Sequence, residues 1–489
     1  MKKYKMKVTV FLCGALGMVL ELVAARILSP YVGSSNLIWT TIIGIMLTSM
    51  SIGYWLGGKI ADKRPDLNLL SLFTLLGAFF TSLIPVLETV LVKPLSETNA
   101  SLVFVAIVTS AFVFGIPSFI LAMVSPFAVK IEELSDEGHN NIGKTSGRIS
   151  SLSTIGSIVG TFAAGFLLIP YLGVRVLILI VTIVLYLLAF MIYCDKTKKY
   201  CALLVLILIC LLGINYYGKY IFEKENPDII VDTDSQYSRI WIKRIETGDA
   251  SYKAMQVDRG FESYIDQETK QMGATYLYYY DLFDYFNKNA KSTLMIGGAA
   301  YTYPTYYLNK YQDKTIDVVE VDKKMTELAQ EQFGLDTTNP RLKIYHQDGR
   351  SFLNRTDNKY DTILIDAFKG LSAPFELTTY EALTAAKNLL NDNGMVITNI
   401  ISGLEGKDAD FIEYEYATYK AVFPEVKLYQ VRDENKEDEQ NLILIGFKNE
   451  INNTDETKKE QYERFLNREI ADFSSDRRIV TDHYSPIGD

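Results

Sequence analysis

Long apolar stretches fill the first 218 residues of the chain, and short polar segments separate them. An α-helix needs about 20 mostly apolar residues to cross a bilayer, and these stretches reach that length. The pattern predicts about seven spans, at residues 8–29, 36–58, 69–92, 100–128, 149–170, 174–194 and 200–218. We therefore expect residues 1–218 to form a multi-pass α-helical membrane domain in contact with the lipid bilayer.

Beyond residue 218 the apolar runs become short. Residues 228–270 partly alternate between apolar and polar positions, which predicts a small β-subdomain within 219–275. Five predicted strands then alternate with helical stretches, at 292–298, 315–322, 343–348, 360–366 and 394–400. Such alternation is typical of a parallel, doubly wound sheet, so we expect residues 276–489 to form a Rossmann-like α/β domain.

The charge and the potential metal ligands exclude two classes of function. The net charge of −9 argues against a nucleic-acid partner, because phosphate binding needs a clustered basic surface. The three histidines are scattered, and the four cysteines all lie in or beside apolar runs. Because no spacing of these residues matches a zinc site, we expect no metal cofactor.

Polar residues or glycines follow four of the predicted strands. Gly297 and Gly298 end the first strand, and Glu320, Asp348 and Asp366 lie at the ends of the next three. Ligands of doubly wound sheets bind at the carboxyl ends of the strands. Glycines let the backbone approach a ligand closely, and a carboxylate after the second strand can accept both hydroxyl protons of a ribose. The pattern predicts a site for a nucleotide-type ligand.

Two charged residues, Glu21 and Arg26, lie inside the first predicted span. Charges in hydrocarbon are costly, so these two should pair or face a polar cavity. One interpretation is a structural ion pair, and the other is part of a path for a substrate or a proton.

Basic residues favour the cytoplasm for the N-terminus and for the loops after the second, fourth and sixth spans. We therefore expect a multi-pass protein of the cell membrane with a cytoplasmic α/β domain. A seventh full span would instead place that domain on the opposite side, unless one span is re-entrant.

Several motifs resemble those of the spermidine synthase family of aminopropyltransferases, in its bacterial membrane-fused form with a transporter-like N-terminal segment. In the membrane half they lie at residues 17–35, 53–62 and 156–170. In the soluble half they are Met295-Ile-Gly-Gly298, Val319-Glu320-Val-Asp322, Gln347-Asp348-Gly349-Arg350 and Tyr360-Asp-Thr-Ile-Leu-Ile-Asp366. The resemblance implies that the α/β domain is of the methyltransferase type.

The resemblance also implies an activity. The chain would transfer an aminopropyl group from decarboxylated S-adenosylmethionine, or use S-adenosylmethionine itself, and the acceptor would be a polyamine such as putrescine or another small amine. Glu320 would bind the ribose, Asp348 the adenine amino group, and Asp366 would accept a proton from the attacking amine. By the same resemblance, the residues that bind the cofactor are Gly297, Gly298, Glu320, Asp348 and Gly349. The residues that bind the substrate are Tyr278 and Glu262. A homodimer is one expected assembly.

The chain departs from the family's pattern at several positions, two of which are usual Asp positions. Ala300 stands where the family has an Asp that holds the ammonium tail of the cofactor, and Gly370 stands where it has a second Asp beyond the catalytic one. The first departure favours an alternative, a methyltransferase that uses ordinary S-adenosylmethionine. Another alternative is a transporter-like membrane protein whose soluble domain is a degenerate nucleotide sensor.

Overall fold

The computed structural model describes residues 2–135, 142–193, 198–248, 250–367, 374–484 and 486. The chain divides into two compact units, Met1–Trp241 and Ile242–Asp489, and the boundary lies inside a β-strand. The domain limits at residues 218 and 275 stay predictions.

Helices form most of the first unit. They are α1 (Lys2–Val32), α2 (Asn36–Lys63), α3 (Leu67–Ser82), α4 (Ile84–Leu87), α5 (Lys93–Ser96), α6 (Leu102–Thr109), α7 (Ile116–Ala122), α8 (Val124–Ser135), α9 (Ile142–Ala163), α10 (Ile169–Tyr193) and α11 (Lys198–Glu225). π-Helical turns at Glu88–Val92, Ser110–Gly115 and Ala164–Leu168 connect some of them.

Six helical segments of the described chain are long and apolar enough to cross a membrane: Tyr4–Val32, Asn36–Lys63, Leu67–Ser96, Leu102–Leu134, Ile142–Tyr193 and Val205–Glu225. The longest, Ile142–Tyr193, has 52 residues and contains two of the predicted spans, 149–170 and 174–194. Gly173 lies between these two spans with a non-helical φ of 75°. The helical, apolar character of the first half is thus confirmed, whereas its place in a membrane and the number of seven spans stay predictions.

Helix α9 packs closely against α1. A Cβ atom on Gly156 would lie 2.1 Å from the carbonyl oxygen of Phe11, and one on Gly160 would lie 2.2 Å from that of Ala15. The absence of side chains at these two positions lets the two backbones approach each other, as small residues do between membrane helices.

A cluster of four charged side chains, two of them buried and two partly buried, lies inside the first unit. Arg239 donates from Nη1 to Glu88 Oε1 at 3.0 Å and from Nη2 to Asp232 Oδ2 at 2.9 Å. Arg175 contacts the same acids, with Nη1 3.3 Å from Glu88 Oε2 and Nε 2.8 Å from Asp232 Oδ2. Burial alone would raise the pKa of Asp232, but Arg239 and Arg175 outweigh it and lower that pKa. The two guanidinium groups and the two carboxylates compensate one another.

The two charges of the first predicted span have different surroundings. Arg26 Nη2 donates to the carbonyl oxygen of Gln236 at 2.7 Å. Oε2 of Glu21 is buried and has no hydrogen-bond partner in the described part of the chain. Both interpretations of Glu21, as half of an ion pair and as part of a path, stay predictions.

The predicted β-subdomain is confirmed as a four-stranded sheet with the order β1-β2-β3-β4. Its strands are β1 (Ile229–Asp234), β2 (Arg239–Thr247), β3 (Ala250–Val257) and β4 (Gly260–Asp266). After these strands come a 3₁₀ helix, Thr275–Leu282, and the short α12 (Phe283–Phe286).

The second sheet has seven strands with the order β10-β11-β9-β8-β5-β6-β7. The strands are β5 (Ser292–Ile296), β6 (Thr315–Val319), β7 (Leu342–Tyr345), β8 (Tyr360–Ile365), β9 (Leu390–Ser402), β10 (Glu425–Gln430) and β11 (Gln440–Phe447). The α-helices of this region are α13 (Thr302–Lys310), α14 (Lys323–Phe333), α15 (Gly349–Arg355), α16 (Tyr380–Leu389), α17 (Asp410–Val422) and α18 (Lys459–Leu466).

Strands β5 to β9 pair in parallel, as predicted, which confirms the doubly wound, methyltransferase-type domain. Strands β10 and β11, which the sequence analysis did not predict, add an antiparallel edge. The chain order runs outward from β5 to β7 and then returns to β8 on the other side of β5. The crevice at the carboxyl ends of β5 and β8 is therefore the expected ligand site.

The buried charges make a prediction about stability. Arg239→Gln would leave Glu88 and Asp232 without one of their two cations, so we expect it to lower the free energy of unfolding by about 3–5 kcal/mol. Thermal unfolding of the full chain in detergent measures this loss. Arg244→Gln, an exposed position on the same strand, is the control and should unfold like the wild type. Equal unfolding temperatures for all three proteins would contradict the assignment.

Candidate functional site

The chain segments after β5 and β8 approach each other closely. Gly297, the first residue after β5, has a φ of 94°, and a Cβ atom on it would lie 2.1 Å from the carbonyl oxygen of Asp366. The positive φ and the short distance both exclude a side chain here. The glycine turn and Asp366, which follows β8, therefore lie side by side at the crevice.

Two side chains donate hydrogen bonds to the carboxylate of Asp366. Tyr276 donates from its hydroxyl to Oδ2 at 3.1 Å, and Asn399, on β9, donates from Nδ2 to Oδ1 at 3.3 Å. Asn441 Nδ2 in turn donates to Asn399 Oδ1 at 3.0 Å. Because the amide oxygen of Asn399 is occupied in this way, its NH₂ group faces Asp366.

Burial raises the pKa of Asp366 to about 6. Tyr280, Asn399 and Tyr276 oppose this effect, because polar hydrogens near the carboxylate stabilise its charged form. The buried hydroxyl of Tyr280 also lowers the pKa of Asp366, although its geometry falls short of a hydrogen bond. A carboxylate with such a pKa is ionised at neutral pH and accepts a proton more readily than an ordinary Asp.

Asp366 lines a cavity of about 580 Å³ in the second unit. The cavity wall also includes a second carboxylate, Glu262, and three tyrosines, Tyr252, Tyr264 and Tyr276. The cavity is lined by these two acidic side chains and by one basic side chain, Arg432, and this excess of acid favours a cationic ligand.

Glu320, directly after β6, is only 5% exposed and holds the glycine turn. Its Oε2 accepts from the backbone N–H groups of Gly298 at 2.9 Å and Ala299 at 3.1 Å, and Oε1 accepts from that of Asp322 at 2.9 Å. Burial raises the pKa of Glu320, and these three backbone groups oppose the rise. Each carboxylate oxygen can accept more than one hydrogen bond, so ribose hydroxyls would share Glu320 with the turn.

Asp348 and Gly349 lie at the carboxyl end of β7, as predicted. Asp348 is exposed, and its Oδ1 caps α15 by accepting from the backbone N–H of Ser351 at 2.8 Å. A Cβ atom on Gly349 would lie 2.6 Å from the side chain of Ile296, so the helix begins in close contact with β5. Their contacts with a cofactor stay predictions.

Comparisons with known proteins agree with this arrangement. Residues 282–432 match the family model described as the spermine/spermidine synthase domain. A polyamine aminopropyltransferase of Vibrio vulnificus is 26% identical over 220 residues, which cover 41% of this chain and 70% of that protein. Polyamine aminopropyltransferase 2 of Aquifex aeolicus is 23% identical over 494 residues, which cover 95% of this chain and 92% of that protein. The chain thus contains a spermine/spermidine synthase domain and is similar to known transferases.

A solved structure is also similar to the spermidine synthase domain of this chain. The crystal structure of a probable spermidine synthase from Corynebacterium glutamicum aligns over 53% of this chain and 99% of its own, with 20% identity and a TM-score of 0.43.

The glycine turn of this spermidine synthase domain has no carboxylate at position 300. Ala300 is buried, and its backbone N–H donates to the hydroxyl of Ser263 at 3.4 Å. Tyr301 follows with a φ of 55°, and its buried hydroxyl lies 2.8 Å from that of Thr326. The departure at Ala300 therefore removes an anionic group from the turn. The other departure, Gly370, lies outside the described residues.

The tyrosine beside the candidate base is Tyr276, which the sequence analysis did not single out. Tyr278, predicted to contact the substrate, donates instead to the carbonyl oxygen of Met272 at 3.3 Å and is not among the residues that line the cavity. Residues two apart on a 3₁₀ helix point in different directions, so only one of these tyrosines can face Asp366. Substrate binding by Tyr278 stays a prediction.

Asn399 was also missed by the sequence analysis. The available signal was a single amide side chain within the apolar strand Gly394–Ile400. Glu262, which was predicted to contact the substrate, does line the cavity, and its role stays a prediction.

The raised pKa of Asp366 makes a prediction about pH and stability. The folded state holds this proton more tightly than the unfolded state, whose Asp has a pKa of about 4. This contribution to stability is fully present below about pH 4 and is lost as the pH rises through about 6. We expect Asp366→Asn to raise the free energy of unfolding by up to about 3 kcal/mol at pH 7.5 and to change it little at pH 4.

Thermal unfolding of the full chain in detergent at both pH values checks this expectation. Asp392→Asn, whose side chain is 93% exposed, is the control and should show no such pH-dependent difference. An Asp366→Asn protein that is less stable than the wild type at pH 7.5 would contradict the prediction.

Proposed function

We propose that the chain is a membrane-bound aminopropyltransferase. It transfers the aminopropyl group of decarboxylated S-adenosylmethionine to a polyamine, of which putrescine is the simplest. The observation that carries this proposal is Asp366, a carboxylate with a pKa of about 6 that lines an acidic cavity next to the glycine turn. The names of the relatives, polyamine aminopropyltransferases, support the same transferred group and the same class of acceptor.

The reaction needs one proton acceptor and a fixed alignment of two molecules. The amine nitrogen attacks the propyl carbon next to the sulfonium, and the carbon–sulfur bond breaks with its electron pair on sulfur. The new nitrogen–carbon bond leaves an extra proton on the nitrogen, and Asp366 accepts it. Tyr276 and Asn399 hold the carboxylate in one orientation, so the base is positioned before the amine arrives.

The adjacent glycine turn supports the placement of the donor. Gly297 lies beside Asp366, and Glu320 accepts a hydrogen bond from Gly298 of the same turn, where the ribose of a nucleotide would bind. Asp348 would then contact the adenine amino group from the end of β7. A donor in this place would present its sulfonium close to the base and the cavity.

We also propose that the protein resides in the cell membrane with its transferase domain in the cytoplasm. The six long apolar helical segments support membrane insertion. The donor is a nucleotide-type molecule made inside the cell, which favours the cytoplasmic side.

A second candidate function is methyl transfer from ordinary S-adenosylmethionine. Ala300 favours it, because the turn carries no carboxylate at this position to attract the donor's ammonium or to repel an additional carboxylate.

The role of Asp366 is tested by kinetics. Asp366→Asn keeps the shape and hydrogen-bonding capacity of the side chain and removes its basicity. We expect turnover with a diamine or triamine acceptor to fall by about 10²–10⁴-fold, while the affinity for the donor is retained. Asp392→Asn should transfer at the wild-type rate. Equal rates for Asp366→Asn and the wild type would reject Asp366 as the base.

The identity of the donor is tested by calorimetry. We expect the full chain in detergent to bind decarboxylated S-adenosylmethionine more tightly than S-adenosylmethionine. Product analysis with each donor then distinguishes aminopropyl from methyl transfer. Preferential binding of S-adenosylmethionine together with methylated products would replace the first proposal with the second.

A further inference from the structure

Strands β3 and β4 form one wall of the cavity, and an irregularity in their pairing shapes it. Between β3 and β4 the register shifts, so that Met255 pairs with Ser263 and Gln256 pairs with Phe261. Glu262 is the extra residue of β4 and has no counterpart on β3. Such bulges redirect side chains and are common next to active sites. Here Phe261, Glu262 and Tyr264 all reach the same cavity, which strict alternation would not allow.

Three aromatic residues, Tyr252, Phe261 and Tyr264, line the cavity together with Glu262. The ring of Tyr264 lies on the backbone of Gly273, where a Cβ atom would be 2.0 Å from the ring. Tyr252 meets Tyr264 edge to face, with 5.9 Å between the ring centroids. The ring of Tyr264 is thus fixed from both sides. Tyr276, whose hydroxyl contacts Asp366, is close enough to Glu262 for that carboxylate to raise its pKa, after the larger effects of burial and Asp366.

We propose that Glu262, Tyr252, Tyr264 and Phe261 form a subsite for a second, alkylated ammonium group, so that the preferred acceptor is a linear triamine or longer polyamine. The inference rests on the proposed function and specifies its acceptor. The primary amine at one end of the acceptor lies at Asp366 and loses its proton there. The next nitrogen along the chain remains charged and lies among Glu262 and the rings.

The chemistry of this subsite matches a secondary ammonium better than a primary one. A primary ammonium has three N–H donors to satisfy, whereas a secondary one has two N–H groups and two alkyl arms. Glu262 supplies a carboxylate for the N–H groups. The rings supply faces that attract a cation and also contact its alkyl arms.

The size and the remaining lining of the cavity agree with a long acceptor. Its volume of about 580 Å³ is in the range of pockets that enclose drug-sized ligands, far above the need of a four-carbon diamine. Ile245, Ile401 and Val431 add apolar surface for methylene groups. Arg432 also lines the cavity, and its Nη1 lies 3.6 Å from Glu434 Oε1, which offsets its charge.

The test compares kcat/KM for spermidine, a triamine, with that for putrescine, a diamine, in the full chain. We expect the wild type to favour the triamine by about tenfold or more. Tyr252→Leu removes an aromatic face, and Glu262→Gln removes the charge. Each should lower the ratio of triamine to diamine kcat/KM by about 3- to 30-fold, mainly through the KM of the triamine.

Tyr380→Leu replaces a partly exposed tyrosine that does not line the cavity, and it should keep the wild-type ratio. A wild type that prefers the diamine, or variants that lower both values equally, would overturn the subsite. If the wild type transfers to neither amine, the proposed function fails, and calorimetry decides the subsite separately. The subsite is supported if the wild type binds the triamine more tightly than the diamine and Glu262→Gln loses this difference. Equal binding of both amines by the wild type rejects the subsite.

Discussion

The contact between the backbones of Gly297 and Asp366 is the constraint on which the transferase site depends. The parallel pairing of β5 and β8 continues one step beyond the strands, because Asp366 N donates to Ile296 O at 2.9 Å. The absence of a side chain at Gly297 lets the glycine turn lie directly on Asp366. Glu320 then holds the same turn through the N–H groups of Gly298 and Ala299. The turn, Glu320 and the candidate base thus form one hydrogen-bonded unit, and a side chain at 297 would separate them.

Opposing effects place the pKa of Asp366 near neutrality. Burial disfavours the charged carboxylate, and the donors around it favour that form. Stronger hydrogen-bond donors would lower the pKa of Asp366 and make it a weak base. Weaker donors would raise that pKa and leave Asp366 protonated at neutral pH. The same balance costs stability, because at neutral pH the folded protein keeps a charge that burial disfavours. Function and stability are therefore opposed at this one residue.

The first unit has a comparable arrangement of buried charges, but there the charges cancel. Arg239 and Arg175 each contact both Glu88 and Asp232, so neither carboxylate relies on a single cation. In the sequence, Glu21 and Arg26 were the candidates for an ion pair because they lie five positions apart in one predicted span. The cluster in the structure joins residues as far apart as 151 positions, and no local pattern reveals such pairs.

The sequence by itself determined the helical membrane half, the small β-subdomain, the parallel strands β5 to β9 and the positions of Gly297, Glu320, Asp348 and Asp366. These features follow from the length and period of apolar runs and from the rule that strand ends meet at one edge of a sheet. Tertiary structure alone decided which side chains surround the carboxylate of Asp366. Tyr276, and not Tyr278, is the residue of the 3₁₀ helix whose hydroxyl contacts Asp366, and Asn399 was placed by its register between β8 and β11. Both depend on contacts between segments distant in sequence, where local periodicity carries no information about direction.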